Sequence, residues 1–154
     1  MTEITVSGMS SADIPSVAEL ERLCFSDPWN SEAISTLVLS PERSDSFRQL
    51  TFAAHIGSRL AGYAIVYLVA GEGQLERIAA SPEFRRMGVG KALIGAVMHE
   101  MRELGAGRIT LEVRESNAAA RTLYELSGFV TDGIRRRFYR DPTEDAVLMS
   151  AEIK

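Results

Sequence analysis

Residues 75–94 read LERIAASPEFRRMGVGKALI, and the fold turns on how this stretch is parsed. The run 74–80 (QLERIAA) reads as a strand, and a helix is expected from about Val89 to Leu104. The connection ends in Gly88-Val89-Gly90-Lys91. A glycine turn opening a helix leaves the first backbone N–H groups without helical partners, at the positive end of the helix dipole, and that arrangement binds phosphate. Three phosphate loops can be weighed. An NTP-binding loop, G-x-x-x-x-G-K-[ST], needs glycine at 85 and a hydroxyl at 92, where Arg85 and Ala92 stand. A dinucleotide fingerprint, G-x-G-x-x-G, needs a third glycine where Leu93 stands. What remains is [RQ]-x-x-G-x-G, from Arg85 to Gly90, with Arg85, Arg86 and Lys91 adding positive charge.

The rest of the chain supplies the frame. Its 154 residues suit one domain, expected to span 1–154, with a real hydrophobic core. Composition is that of a soluble globular protein, 45% hydrophobic and 25% charged. No apolar run is long enough to span a membrane. The N-terminus lacks the pattern of a signal peptide. A single cysteine, Cys24, excludes an internal disulfide and suits a reducing cytoplasm, the expected location. Cys24 itself reads as a small buried hydrophobe. The net charge of −4 argues against direct nucleic-acid binding. Basic charge is local, at Arg85, Arg86 and Lys91 and again at Arg135, Arg136, Arg137 and Arg140. A monomer or weak dimer is expected.

Periodicity predicts a strand at 3–8 and a helix from Ser11 or Asp13 to Cys24, with the stripe Ile14, Val17, Leu20 and Cys24. A second helix at 31–39, a hairpin at 48–69 and a turn at Gly71 and Gly73 follow. The helix after the glycine loop buries Leu93, Ile94, Val97, Met98, Met101 and Leu104. RITLEVR (108–114) is a strand, the segment 116–129 a helix closed by Gly128, and 129–138 and 146–153 are two last strands. This order predicts an α/β (α+β) fold, a mixed and mostly antiparallel sheet of about seven strands flanked by four helices, with the helices in one layer.

Two motifs carry a resemblance. LERIAASPEFRRMGVGKALI is similar to the acetyl-coenzyme A motif of the GNAT N-acetyltransferases. LEVRESNAAARTLYELSGF (111–129) resembles the pattern of the bacterial ribosomal-protein-alanine N-acetyltransferases, the RimI-type branch, at every fixed position. DPWN (27–30) and RRRFYRDPTEDAVLM (135–149) agree with that branch. The resemblance implies that Arg85, Arg86, Met87, Gly88, Val89, Gly90 and Lys91 hold the pyrophosphate of acetyl-CoA. It implies that Ile78, Ala79 and Ala80 line the acetyl and pantetheine groups through their backbone. The family usually has valine where Ala80 stands.

The resemblance further implies Glu112 as general base and Tyr124 as general acid toward the departing thiolate. A base is needed because an N-terminal α-amine, with pKa near ~8, is mostly protonated at neutral pH. A lysine amine lies about 2.6 units higher, adding roughly 3.5 kcal/mol to deprotonation, so the α-amine is the easier substrate. A carboxylate serves well only when its pKa is raised toward neutrality. Asn117 is either a helix N-cap or a contact to coenzyme A, or both in part. Trp29, the arginines 135–137 (Arg137 above all) and Tyr139 are candidates for gripping the substrate's first residues. The family usually has Tyr-Tyr where Phe138-Tyr139 stands. His55 and His99 have no partner at metal-ligand spacing, so no metal and no covalent cysteine intermediate are expected. The expected activity is acetylation of the N-terminal alanine of a small-subunit ribosomal protein. The alternatives are another amine on the same fold, or a CoA-binding module without turnover.

Overall fold

A computed structural model describes residues 3–154. Its elements run β1 (Ile4–Ser7), α1 (Ile14–Cys24), α2 (Ser31–Leu39), β2 (Phe47–Ile56), β3 (Arg59–Val69) and β4 (Glu72–Ala80). Then follow α3 (Val89–Glu103), β5 (Arg108–Arg114), α4 (Ala118–Leu126), β6 (Val130–Tyr139) and β7 (Glu144–Glu152). Single 3-10 turns precede α1 at Ser11–Asp13 and follow β4 at Pro82–Phe84. The seven strands form one sheet in the order β1-β2-β3-β4-β5-β7-β6. The α/β reading of the sequence holds, with seven strands and four helices among the described residues.

The helices do not lie in one layer. β3 shows why: Ala64 and Val66 face one side, Tyr63 and Ile65 the other, and all four are fully buried. A strand apolar on both faces must be covered on both. On one face, Val17 and Leu20 of α1 and Ile34 and Leu37 of α2 pack over Tyr63 and Ile65. On the other, Leu93, Val97 and Met101 of α3 and Tyr124 of α4 pack over Phe52, Ala64, Val66 and Ile109. Each fully buried Leu or Val of this kind contributes about 1.5–3 kcal/mol. The hairpin turn before β4 also differs from expectation. Ala70 and Gly71 take the positive φ values, 49° and 83°. Gly73 lies inside β4, where an added Cβ would come within 2.9 Å of Met101 Sδ.

One pairing positions everything functional. Every neighbouring pair in the sheet is antiparallel except β4 and β5, which are parallel. Their ladder runs only from Glu72–Arg108 to Leu75–Leu111. Beyond it the two strands part, β4 continuing to Ala80 and β5 to Arg114. The sheet is thus a V whose point is at Leu75 and Leu111. α3 makes the crossover that a parallel pair requires.

The far side of the V is held by a buried charge. Glu21 lies on the apolar stripe of α1 and is fully buried. It accepts hydrogen bonds from the Tyr63 hydroxyl and from the Trp29 backbone N–H, the latter at 2.8 Å. The Arg77 guanidinium of β4 lies 3.2 Å away. Burial, with the Glu21 carboxylate as its hydrogen-bond partner, drives the Tyr63 phenol pKa far above its usual value. His55 is likewise structural: its Nε2 is 2.8 Å from Asp13 Oδ1, joining β2 to the start of α1.

Candidate active site

Two hollows open along the V, of about 510 and 620 Å³. The first is lined by Cys24, Ile78, Asn117 and Tyr124 among others, the second by Trp29, Arg135, Asp132 and Thr110 among others. They share Glu112 and Tyr139, and they meet at the point where β4 and β5 part.

The strand pattern of β5 explains why Glu112 is available. Ile109, Leu111 and Val113 are buried in the core, so the alternate positions face the other way. Glu112 thereby reaches the cleft, with Arg135 Nη1 3.6 Å from its carboxylate. Both side chains are substantially exposed, so the pair contributes little to stability.

Tyr124 enters from α4. Its ring is buried beside Phe129, with centroids 5.7 Å apart. Burial, and then nearby Tyr139, push its phenol pKa well above the ordinary value near 10. The side chain therefore stays protonated and available as a donor across the physiological range. Tyr139 is pushed up to about 12, by burial first and by the Glu112 carboxylate next. Asn117 is the N-cap of α4: its Oδ1 accepts from Ala120 N–H at 3.2 Å while the residue also lines the first hollow. Its side-chain NH₂ remains for a ligand.

The glycine loop lies at the outer end of the V. Gly88 is the N-cap of α3 with φ 87° and ψ 17°, and Arg86 also has a positive φ of 64°. The first helical bond is donated by Ala92 to Gly88 O, 2.9 Å. The first-turn amides of Val89, Gly90 and Lys91 have no carbonyl a full turn behind them within the helix. Gly90 lies against α4, where an added Cβ would come within 2.9 Å of Leu123 Cδ2. Val89 is buried, so it contributes backbone and anchors the loop to the core. These donors, with Arg85, Arg86 and Lys91, fit the two negative phosphates of a coenzyme A pyrophosphate. Replacing Gly88 by Ala puts a Cβ into the left-handed region and should cost about 1–2 kcal/mol. Urea unfolding checks that loss. Calorimetry on the same variant should show weakened coenzyme A binding, because the loop's amides turn away.

The structure gathers Glu112, Tyr124, Ile78 and Asn117 around the first hollow and Trp29 and Tyr139 near the same point. Ala79 is buried against α1 and α2, and Ala80 is half-buried, its carbonyl 3.9 Å from Cys24 Sγ. Cys24 is only half-buried and lines the cleft, unlike the buried hydrophobe expected, and burial raises its thiol pKa. Arg137 is exposed with φ 51°, its backbone N–H donating to Asp145 Oδ1 at 2.9 Å, and it lines neither hollow. Arg135 lines the second instead.

Four residues that sequence reasoning did not single out belong here. Arg77 ties the loop after α1 to β4, donating to Asp27 O at 2.7 Å and lying over the Phe25 and Trp29 rings. Glu21 anchors Arg77. Its signal was present: position 21 is four residues after Val17 and three before Cys24, so it shares the face of the stripe Ile14, Val17, Leu20 and Cys24. Arg114 holds the β6–β7 loop, donating to Arg140 O and Pro142 O at 2.8 and 2.9 Å, and lies over the Tyr139 ring. The fourth is Glu76, whose carboxylate lines both hollows.

Comparison with known proteins places this geometry. Residues 14–129 match the model of the acetyltransferase (GNAT) family. The chain is 33% identical over 151 residues to the [ribosomal protein bS18]-alanine N-acetyltransferase of Escherichia coli K12, covering 97% of each chain. It superposes on the crystal structure of the ribosomal-protein-S18-alanine N-acetyltransferase from Escherichia coli with a TM-score of 0.84 and 32% identity, covering 99% of this chain and 95% of that one. The fold is also that of Arabidopsis thaliana NAA60, crystallised with acetyl-CoA (TM-score 0.83, 18% identity, 98% and 99% covered). A V-shaped sheet with a glycine loop at the start of its crossover helix, and a family match running from α1 to the end of α4, have one common source: this chain is an acyltransferase of the GNAT family.

Proposed function

We propose that the chain acetylates the N-terminal α-amine of a protein, the N-terminal alanine of a small-subunit ribosomal protein, using acetyl-CoA. The observation that carries this reading is identity of 33% across 97% of both chains to an enzyme named for that reaction. A ribosomal substrate entails a cytoplasmic enzyme. Among the described residues no helix is long and apolar enough to cross a membrane.

Acetyl-CoA, when bound, supplies the acetyl group as a thioester. The loop from Arg85 to Lys91 holds its pyrophosphate, and the backbone of Ile78, Ala79 and Ala80 lines its arm. Glu112 accepts a proton from the amine in the cleft. Tyr124 donates toward the sulfur as charge develops there. Its raised pKa makes a free tyrosinate costly, so donation and recapture of a proton are closely coupled. Trp29 and Tyr139 flank the amine's approach, and Arg77 fixes the first of them.

Mass spectrometry of protein N-termini from cells with and without this enzyme tests the substrate. The expected result is loss of N-terminal acetylation on one small ribosomal subunit protein. An unchanged ribosomal N-terminus refutes the assignment. Tyr124→Phe tests the acid: kcat should fall about 100-fold. The fold should hold, because the ring that packs on Phe129 is retained.

A further inference from the structure

Two carboxylates stand at the point of the V. The β4–β5 ladder ends at Leu75 and Leu111, so Glu76 and Glu112 are the first residues past it on each strand. Glu76 is also the residue that a bulge leaves over against β3. Ile65 pairs with Arg77 and Val66 with Leu75, and nothing pairs with Glu76 between them. Bulges re-aim side chains and gather beside active sites. Here Glu76 faces the cleft by alternation with Leu75, which packs in the α3 core, and the bulge turns Arg77 to the same face, toward Glu21. Both carboxylates line both hollows, the one with Tyr124 and the one with Trp29. A group in that position meets a ligand arriving from either side.

Charge singles out the ligand. Glu112 from β5, Arg77 on its own strand and Tyr67 from β3 lie within electrostatic reach of Glu76, and Asp27, Arg114, Arg135, Tyr139, Arg108, Asp132, Cys24, Arg140 and Asp141 line the hollows it shares. Arg77 is engaged by Glu21 at 3.2 Å and Arg135 lies 3.6 Å from Glu112. Among the described residues no ion pair forms to Glu76. Glu76 is exposed to the cleft; partial desolvation by its walls, and then the Glu112 charge, hold its carboxyl above the usual range, with Arg77 opposing.

We propose that Glu76 is a second carboxylate of the transfer: with Glu112 it seats the incoming amine as its ammonium and takes one of the two protons that nitrogen must lose. This rests on the acetyl-transfer reading above. The proton count supports it. An ammonium nitrogen carries three protons and the product amide one. The first proton leaves to free the lone pair that forms the C–N bond to the acetyl carbon. The second leaves once that bond exists, as the C–S bond breaks and its electron pair goes to sulfur. One proton ends on sulfur by way of Tyr124 and one goes to solvent. A lone carboxylate must discharge the first before taking the second, and a pair need not.

Glu76→Gln in the full chain tests this against whichever peptide amine the wild type acetylates. At pH 6.5–7 (about one unit below the α-amine's own pKa) KM should rise and kcat/KM fall by about 10–100-fold, the loss of a charge-assisted contact. The deficit should shrink above pH ~8, where the amine arrives already neutral. A structural role would give a deficit independent of pH. Calorimetry with coenzyme A bound supplies a readout without turnover. The variant should lose about 10-fold in affinity for the amine peptide and nothing for the same peptide N-acetylated. A flat pH profile, or equal losses for both peptides, overturns the proposal. If the wild type acetylates lysine peptides instead, the substrate reading fails while the Glu76 test proceeds on that amine, with the pH at which the deficit shrinks moved up toward ~10. If it acetylates neither, the calorimetric arm alone decides.

Discussion

Glu112→Gln is expected to lower kcat by about 10²–10⁴-fold while leaving coenzyme A binding intact. The substitution keeps the size and hydrogen-bonding shape of the side chain and removes its ability to take a proton. The residue lies at the point of the V, away from the glycine loop at the start of α3, so the phosphate cradle is untouched. Its only ion pair among the described residues, to Arg135 at 3.6 Å, is exposed, so stability should barely change. Steady-state kinetics and calorimetry on one preparation check both halves. A variant with wild-type turnover would remove Glu112 from the chemistry. Absence of turnover in the wild type, with coenzyme A bound, would favour a binding module.

Arg77→Met is expected to destabilise the fold by about 3–5 kcal/mol, because it strands a buried carboxylate. Glu21 is fully buried and, among the described residues, has only the Tyr63 hydroxyl and the Trp29 N–H besides Arg77. Two neutral donors do not replace a cation in a low-dielectric site. The double variant Glu21→Met/Arg77→Met should recover much of the loss, since no charge is then left behind. Urea unfolding of the two single variants and the double measures the coupling. Equal stability of Arg77→Met and wild type would mean that the pair is not the support described. Activity should fall in the double variant even where stability returns. Arg77 also holds the Asp27 carbonyl and stacks on the Phe25 and Trp29 rings, which shape the cleft wall.

Elements with a local signal were legible in the sequence. α2 falls at 31–39 as periodicity predicts, and β5 at 108–114. The motif at 111–129 brought Glu112, Asn117 and Tyr124 into view together, and the structure sets all three around one hollow. What stayed hidden depends on chain segments that meet only in space. Glu76 looks like one polar position in an alternating strand. Alternation sets it opposite Leu75, but that a cleft opens there depends on where the β5 ladder ends. Arg137 and Arg135 are two positions apart on a strand that reads as evenly basic. The register shift between Arg135 and Tyr139 puts only one of them in the cleft. The two-sided cover of β3 was visible in its unbroken apolar run. A helix count by itself does not say on which face each helix lies.

The parting of β4 and β5 gives this sheet two edges that lie in its interior. An outer strand edge invites pairing with other chains, and proteins must blunt it. The inner pair is enclosed by the sheet itself, because the gap closes at Leu75 and Leu111. It still presents backbone donors and acceptors along one side, from Glu76 to Ala80. On the proposed function, the amide-bearing arm of acetyl-CoA would pair with that edge as a short surrogate strand. Affinity for such a ligand comes largely from main chain, which side-chain substitution cannot easily erase. An alanine at position 80 leaves that main chain as it is.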